Sequence, residues 1–213
     1  MPSFCLVECE FPPLAALNKL GDGSLRSAND VDKANVAFCT KLIRSLAPVP
    51  FLAPTVWLVT SSAASQNLNN LARKSGCQVH SLRDGLPPVK GRDVCVFCSP
   101  SASRDYASAK QLAENGLKVV IVNGFAKDQK SVSGLATMAY FLKPLTYNSM
   151  VAGYLLRAYP GPWTTLDAIS GETLGTFTDQ EILVSSTNTP DLRASVRQVQ
   201  QSADQRAIKL RNK

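Results

Sequence analysis

The stretch Asp93-Val-Cys-Val-Phe-Cys-Ser-Pro-Ser-Ala-Ser103 decides the fold of this chain, together with the run Leu117-Lys-Val-Val-Ile-Val-Asn123 that follows it. Each contains an apolar segment of strand length without alternation of polar and apolar residues, as is typical of strands buried on both faces. Between them, residues 104–115 have the apolar spacing of a helix. Strand, helix and strand in this order predict a right-handed parallel crossover unit.

The same pattern of strand and helix occurs upstream. Thr55-Val-Trp-Leu-Val-Thr60 is a second unbroken apolar strand, and a helix follows it. Residues 78–82 then predict a short edge strand. Residues 27–46 predict a helix, because their apolar side chains share one face. The weakly alternating residues 4–11 predict a short strand near the N-terminus.

Beyond residue 124 the pattern changes to segments typical of antiparallel strands. Residues 153–159 predict a strand, and residues 163–169 and 172–177 predict a β-hairpin with a turn at Ser170-Gly171. A connector follows, in which residues 181–184 predict a short strand.

The predicted fold class is α/β, with a three- to four-stranded parallel, Rossmann-like core, covering helices, an antiparallel β extension and a C-terminal helix. We expect residues 1–189 to form one domain. Its parallel part spans about residues 27–124, and its antiparallel extension spans about residues 138–184. Residues 190–213 are expected to form a basic helical tail.

The net charge is concentrated in that tail. The chain of 213 residues has a formal charge of +7, and its last 23 residues contain six basic and two acidic side chains. We expect the tail to dock on an acidic protein surface, with peripheral contact to an anionic membrane as a further expectation. Nucleic acid is not an expected partner, since no aromatic residue or recognition motif accompanies the basic residues. The docking residues are Arg193, Arg197, Arg206, Lys209 and Arg211.

Familiar catalytic and metal-binding patterns are missing from the sequence. There is one histidine, His80, and neither a GxSxG elbow nor an HExxH motif occurs. Cys95 and Cys98 have CxxC spacing, but they lie in an apolar strand, where residues three apart point to opposite faces. The sequence therefore predicts no catalytic residues, no metal site and no cofactor.

Hydroxyl and amide side chains follow the carboxyl ends of the predicted parallel strands. Ligands of open parallel sheets collect at that edge, where helix N-termini offer free N–H groups to a phosphate. Serine and asparagine are also ordinary caps and turn residues, and neither GxGxxG nor a P-loop motif is present. An enzyme or sensor that binds a nucleotide or phosphate is therefore an alternative function. Its ligand loops would use Ser61, Ser62, Ser99, Ser101 and Asn123.

The densest motif is Gly153-Tyr-Leu-Leu-Arg-Ala-Tyr-Pro-Gly-Pro-Trp163. Its two prolines remove backbone donors and hold the preceding residues in extended conformations. Arg157 lies in an otherwise apolar strand, so it must pair, extend to solvent or face a partner. Arginine and aromatic residues also dominate binding hot spots. The motif is thus a structural bend or a partner-binding surface, formed by Arg157, Tyr159, Pro160, Gly161, Pro162 and Trp163.

This motif resembles the most recognisable stretch of an uncharacterised plastid and cyanobacterial domain family. Its best-known members are proteins of the "low photosystem II accumulation" type, and a related domain is attached to some plastid adenylate kinases. The stretch between the first two main strands is shorter here than in land-plant members, and a basic helix replaces the C-terminal aromatic segment. Shorter matches within residues 8–178 are Glu10-Phe-Pro-Pro-Leu14, Asp32-Lys-Ala-Asn35, Val96-Phe-Cys-Ser-Pro-Ser101 and Val120-Ile-Val-Asn123.

The resemblance implies a non-enzymatic plastid protein that binds or helps assemble a photosynthetic membrane complex, associated with a photosystem or with the thylakoid. The implied location is the chloroplast, on the stromal side or at the thylakoid. No run approaches the roughly 18 apolar residues of a membrane span. The N-terminal residues lack the features of a signal or transit peptide, so a targeting peptide is expected to be absent from this chain. A nucleic-acid-binding protein is the second alternative, and it predicts a steep salt dependence of binding.

Overall fold

The computed structural model describes residues 6–12, 27–46, 54–124, 136–184 and 189–211. Contacts divide the chain into two compact units, and the main division falls between Thr137 and Met138. Phe11 and Pro12 belong to the second unit with the residues after Thr137. The predicted boundary between a domain and a helical tail at residue 189 stays a prediction. The first two residues of the predicted N-terminal strand lie outside the described residues.

The first unit alternates strands and helices, as the sequence predicts. Its elements are β1 (Leu6–Glu10), α1 (Ala28–Leu46), β2 (Val56–Thr60), α2 (Gln66–Ser75), β3 (Gln78–Ser81), a 3₁₀ turn (Leu82–Asp84), β4 (Val94–Cys98), α3 (Ser103–Glu114) and β5 (Lys118–Val122). Ser27 precedes α1, and its hydroxyl oxygen accepts the N–H of Asp30 at 3.1 Å. Ser65 accepts the N–H of Leu68 in the same way at the start of α2. Both caps satisfy N–H groups that a helix leaves without an internal partner.

The five strands of the first unit pair in parallel in the order β3-β2-β4-β5-β1. The sequence predicts three or four such strands, and β1 is the fifth because Leu6 to Cys9 pair with Val119 to Val122 of β5. The chain runs from β2 outward to β3 and then back past β2 to β4. The topological switch point, where ligands of such sheets usually bind, therefore lies between β2 and β4.

Helices cover both faces of the central strand. All five residues of β4 are buried, and Cys95 and Phe97 pack in one apolar cluster with Tyr106 of α3. On the other face, Cys98 contacts Cys39 of α1. Burial on both faces explains why β4 reads as an unbroken apolar run.

In its described residues, the second unit is an antiparallel sheet in the order β6-β7-β8-β9 with two helices. Its elements are β6 (Thr137–Tyr147), β7 (Met150–Ala158), β8 (Trp163–Asp167), β9 (Thr173–Phe177), α4 (Asp179–Ile182) and α5 (Arg193–Arg211). The strand predicted at residues 181–184 is present only in part, because Glu181 and Ile182 belong to α4 and Leu183 forms an isolated antiparallel bridge with Pro190. The hydroxyl and the N–H of Thr178 both donate to the carboxylate of Glu181, which fixes the first turn of α4.

The basic helix α5 packs against the antiparallel strands. Val199 of α5 is buried in one apolar cluster with Phe141, Leu155 and Trp163. Gly153 of β7 permits this approach, because a Cβ atom there would overlap Val199 Cγ2 and lie 2.5 Å from the carbonyl oxygen of Leu166.

The predicted fold class is confirmed: the protein is α/β, with a parallel part, covering helices, an antiparallel part and a C-terminal helix. No helix within the described ranges has both the length and the apolar character that crossing a membrane requires.

Candidate functional site

A first group of polar side chains meets at the switch point between β2 and β4. The Oδ2 atom of Asp105 accepts hydrogen bonds from the Ser61 hydroxyl at 2.6 Å and from the N–H groups of Ser101 and Ala102 at 3.0 Å each. The hydroxyls of Ser61 and Ser101 lie 3.4 Å apart. Asp105 is fully buried in the first turn of α3. Its carboxylate therefore occupies the helix N-terminus at which an anionic ligand would bind.

A second polar group joins the ends of β4 and β5 to α1. The amide nitrogen of Asn35 donates to Ser99 Oγ at 2.5 Å, and the amide oxygen of Asn35 accepts from Asn123 Nδ2 at 2.7 Å. Ser99 and Asn123 both have left-handed backbone conformations, with φ of 51° and 49°. The buried Asn35 side chain thus links two strand ends whose backbone turns sharply.

The structure brings four of the five predicted ligand-loop residues together in two pairs. Ser61 lies beside Ser101, and Asn35 bridges Ser99 and Asn123. Ser62 is exposed, and its carbonyl oxygen accepts the Thr60 hydroxyl at 2.5 Å. The hydroxyl and amide groups of both pairs are hydrogen-bonded within the protein. The chemistry that this arrangement supports is helix capping and fixation of the strand ends.

The two cysteines of the CxxC spacing point to opposite faces of β4, as predicted. Burial, with a smaller effect of Asp93, raises the pKa of the Cys95 thiol to about 12. The hydrogen bond with Cys39, followed by burial, raises the pKa of the Cys98 thiol. The two thiols are therefore protonated at neutral pH and are poor nucleophiles. In the part of the chain that the structure describes, no group of three histidine, cysteine or acidic side chains is placed to hold a metal ion.

In the second unit, Arg157 and Trp163 bind the same carboxylate. The Nη2 atom of Arg157 lies 3.2 Å from Asp179 Oδ2, and the indole N–H of Trp163 donates to Asp179 Oδ1 at 2.6 Å. Arg157 Nη1 also donates to the carbonyl oxygen of Gly161. Arg157 is only 5% exposed and Trp163 is fully buried. These contacts fasten the turn between β7 and β8 to the start of α4.

Tyr159 of the sequence motif is 44% exposed, and the adjoining Pro160 and Pro162 are exposed as well. The guanidinium carbon of Arg157 lies 5.5 Å from the centre of the Tyr159 ring and 5.8 Å from that of Trp163. Both distances are within the range of cation–π attraction. The motif thus combines a buried charged centre with one accessible aromatic ring. The turn that separates the two rings consists of Pro160, Gly161 and Pro162.

Two of the five predicted docking residues of the tail are bound to acids of the same unit. Arg193 Nη2 lies 2.6 Å from Asp191 Oδ2, and Arg206 forms an ion pair with Asp167. The charge that the helix offers to a partner is therefore smaller than the sequence indicates. The exposed docking residues that form no ion pair within the described ranges are Arg197, Lys209 and Arg211.

Four exposed apolar side chains lie at one end of the second unit, and sequence reasoning missed them. Met150 follows the turn between β6 and β7, and Ile169 lies in the turn between β8 and β9. Ile208 and Leu210 lie in the last turns of α5. Their exposed fractions are 69%, 75%, 57% and 75%, in that order. We call these four residues the apolar end.

A hydrogen bond holds the first hairpin of the apolar end to α5. The hydroxyl of Tyr147 donates to Asp204 Oδ1 at 3.0 Å. Met150 pairs with Tyr147 across the hairpin, so both side chains lie on the same face of the sheet. Ile208 follows Asp204 by one helical turn. The hydrogen bond between Tyr147 and Asp204 therefore places Met150 near the turn of α5 that contains Ile208.

An ion pair holds the second hairpin of the apolar end to α5. Arg206 and the Ser202 hydroxyl both bind Oδ2 of Asp167. The other oxygen of Asp167 accepts the N–H groups of Ile169 at 2.8 Å and Ser170 at 3.0 Å. Burial opposes ionisation of this carboxyl, but the hydrogen bonds together hold the pKa of Asp167 well below its usual range. Ile169 is thereby fixed beside the last turns of the helix.

Comparison with models of protein families, with curated proteins and with solved structures finds no match to this chain. The resemblance to the plastid domain family therefore stays a prediction that rests on the motif at residues 153–163. The geometry defines an α/β protein. The polar side chains at the strand ends of its first unit are hydrogen-bonded within the protein, and its second unit carries the apolar end.

Proposed function

We propose that this chain is a non-enzymatic plastid protein that binds, or helps to assemble, a photosynthetic membrane complex. The observation that carries the binding part of the proposal is the apolar end of the second unit. The sequence resemblance supplies the class of partner and the chloroplast location, on the stromal side or at the thylakoid surface. The two kinds of support are independent of each other.

The apolar end has the properties of a contact surface. Single exposed apolar side chains are normal, whereas a cluster of them marks an interaction site. Four of the seven large apolar side chains that are exposed within the described residues lie at this end of the unit, with Ile208 and Leu210 on different sides of α5. Burying one such side chain fully against a partner contributes about 1.5–3 kcal/mol. Because two hydrogen-bonded pairs already hold the segments in place, little ordering opposes association.

Two cations lie among the apolar side chains at the end of α5. Lys209 lies between Ile208 and Leu210 in the sequence, and Arg211 follows Leu210. Lys209 and Arg211 are exposed, and within the described residues they form no ion pair. Apolar contact with flanking positive charge suits an acidic surface on a membrane complex.

The strand ends of the first unit support a binding protein over a nucleotide-dependent enzyme. Asp105 places its own negative charge at the N-terminus of α3. A nucleotide phosphate at that position would be repelled by the carboxylate and would have to replace its hydrogen bonds.

The residues of the sequence motif have two different roles in the proposed function. Arg157 and Trp163 are structural, because both are buried against Asp179. Tyr159 is accessible and lies at the opposite end of β7 from Met150. A partner that extends along the second unit would contact Tyr159 as a separate anchor.

The test uses the whole tagged chain and detergent-solubilised thylakoid membranes, with the captured proteins identified by mass spectrometry. In one variant the four residues of the apolar end are replaced by serine. We expect this variant to recover the photosynthetic complex at a level reduced at least about 10-fold. The matched control carries Leu86→Ser and Val184→Ser, which remove exposed apolar side chains outside the apolar end.

Thermal unfolding followed by circular dichroism confirms that both variants are folded. Equal recovery of the complex by the apolar-end variant and the control contradicts the assignment of the contact surface. Recovery of no photosynthetic protein by the unmodified chain contradicts the proposed function as a whole.

A further inference from the structure

The first unit contains a groove of about 800 Å³ between α1 and α2. Its lining residues on α1 include Lys33, Val36, Ile43 and Arg44, whose spacing places them along one stripe of the helix. The stripe from Lys33 to Arg44 is about 16 Å long, from the rise per residue of an α-helix. The lining residues of the groove therefore extend over about three turns of α1.

The lining of the groove combines apolar residues with three cations and with four neutral polar residues, which are Thr40, Asn67, Asn70 and Ser75. Ile43 and Leu71 are buried at its base, and Val36 is partly buried beside them. The charged lining residues are Lys33 and Arg44 of α1 and Lys74 of α2, and all three are exposed.

The positive charge of the groove is not neutralised by the residues that the structure describes. No acidic side chain is among the lining residues, and none of the three cations forms an ion pair there. Asp32 adjoins Lys33 in the sequence, but its two oxygens accept hydrogen bonds from Ser65 and Asn67 at 2.7 Å each. The carboxylate of Asp32 is thus directed to the start of α2, where Asn67 is itself a lining residue of the groove.

We infer that the groove between α1 and α2 binds an acidic amphipathic peptide segment of a partner protein. Apolar side chains of the segment would lie on the floor, and its carboxylates would meet the three cations. A helical segment of about 11 residues spans the distance between the two cations of α1. The cations flank an apolar floor instead of converging on one point, which favours a peptide over a single phosphate group.

This inference is independent of the proposed function. It concerns the first unit, whereas the apolar end belongs to the second unit. A photosynthetic complex is not required as the source of the peptide. The variants that test the apolar end leave the groove unchanged.

The experiment measures binding of a fluorescein-labelled helical peptide by fluorescence anisotropy. The probe consists of Glu-Glu-Leu-Leu repeats with a total length of about 12 residues, which matches the groove. A peptide of Lys-Lys-Leu-Leu repeats has the same apolar pattern with opposite charge. We expect the acidic peptide to bind with a Kd below about 100 μM and the basic peptide to bind at least about 10-fold more weakly.

Two charge-reversal variants locate the site. The groove variant carries Lys33→Glu, Arg44→Glu and Lys74→Glu, and the control carries Lys41→Glu, Arg73→Glu and Arg83→Glu. The control cations are also exposed in the first unit but do not line the groove. We expect the groove variant to lose at least about 10-fold in affinity and the control to stay within about 2-fold of the unmodified chain.

A second groove variant, Ala37→Glu, adds an acid at an exposed lining position while retaining all three cations, and we expect it to weaken binding as well. Circular dichroism melting curves verify that each variant is folded. Equal losses in the groove and control variants overturn the inference, as does absence of binding at about 1 mM peptide. Displacement of the acidic peptide by single-stranded RNA at lower concentration than by unlabelled peptide overturns it in favour of nucleic acid.

Discussion

The hydroxyl of Ser61 lies 2.6 Å from the carboxylate of Asp105 at the switch point of the parallel sheet. The same carboxylate oxygen accepts two backbone N–H groups at the start of α3. One acidic side chain thus joins the end of β2 to the helix that follows β4. In comparable sheets a bound anion makes such contacts. Here a residue of the chain provides the negative charge, so the contact contributes to folding instead of ligand binding.

Replacing that carboxylate should destabilise the first unit. Asp105→Ala leaves the Ser61 hydroxyl and the N–H groups of Ser101 and Ala102 without their acceptor, and Asp105 is fully buried. We expect the free energy of unfolding to fall by about 2–3 kcal/mol. Urea unfolding followed by circular dichroism measures the change. Asp84→Ala, at an exposed position of the same unit, is the control and should change it by under about 0.5 kcal/mol.

The unmodified chain should show no thermal shift with ATP, ADP, AMP or NAD(P). The carboxylate of Asp105 repels phosphate at the start of α3, and Asn35 engages the side chains of Ser99 and Asn123. With each ligand at about 5 mM we expect a change in Tm below about 1 °C. A reproducible increase above about 3 °C would instead support the nucleotide-binding alternative.

The sequence predicts the elements of the parallel part well, because unbroken apolar runs and helical spacing are local signals. Strand β4 and helix α3 match their predictions to within one residue at each end. The position of β1 beside β5 has no local signal, since it depends on pairing between segments over 100 residues apart. The strand predicted at residues 181–184 is reduced to one bridge at Leu183, because the cap formed by Thr178 and Glu181 starts a helical turn that continues to Ile182.

The candidate sites were predictable only in part. The pattern indicates that Arg157 needs a partner, yet Asp179 is 22 residues away and nothing in the sequence selects it. Asp105 reads as an ordinary helix residue until the fold places Ser61 beside it. Ile169 is a large apolar residue at the end of the predicted strand 163–169, directly before the predicted turn, whereas the observed strand β8 already ends at Asp167. Its placement beside α5 depends on Asp167 binding Arg206 across 39 residues.

Removing the charge of Asp179 should destabilise the second unit more than removing that of Asp191. Asp179→Asn keeps an oxygen for the Trp163 indole but leaves the buried Arg157 without its anion. Because Asp179 is half exposed, we expect a loss of about 1–2 kcal/mol, which is less than for a fully buried pair. Asp191→Asn removes the acid of a solvent-screened pair and should leave the free energy of unfolding nearly unchanged.

Each unit contains one of the two tryptophans, so the Trp57→Phe substitution leaves Trp163 of the second unit as the only one. Unfolding of both variants in this background, followed by Trp163 fluorescence, measures the loss of stability in the second unit. Equal losses for the two variants would contradict the structural role of Asp179. A loss confined to Asp191→Asn would assign the stabilising charge to the start of α5 instead.

Adding one methyl group at Gly153 should loosen the packing of α5. The new Cβ atom would overlap Val199 and approach the Leu166 carbonyl oxygen, and the backbone oxygen has little freedom to move. We expect Gly153→Ala to lower the free energy of unfolding by about 1–3 kcal/mol. Gly175→Ala is the matched control, since the atoms nearest to its Cβ belong to the flexible end of the Gln198 side chain. Hydrogen exchange of the α5 amides should increase in the first variant and change little in the control.

The stability of the second unit should fall in acid, and Asp167 should account for part of the loss. Its hydrogen bonds with Ser170, Arg206, Ser202 and Ile169 outweigh burial and hold its pKa well below the usual value. The unfolded chain, in which an aspartate has a pKa of about 3.9, therefore binds the proton first as the pH falls. The stabilising contribution of Asp167 is complete above about pH 5 and is lost progressively below about pH 4.

Asp167→Asn should therefore weaken the second unit at neutral pH and flatten its loss of stability between about pH 5 and pH 3. Urea unfolding of the Trp57→Phe protein at a series of pH values, read from Trp163, measures both effects. Asp84→Asn leaves Asp167 intact, so the free energy of unfolding of this control should change with pH as steeply as that of the unmodified chain. If the free energy of unfolding of Asp167→Asn changed with pH as steeply as that of the unmodified chain, the Asp167 carboxyl would bind protons equally in the folded and unfolded states. The contacts of Arg206 and Ser202 would then contribute no pH-dependent stability to the helix that presents the apolar end.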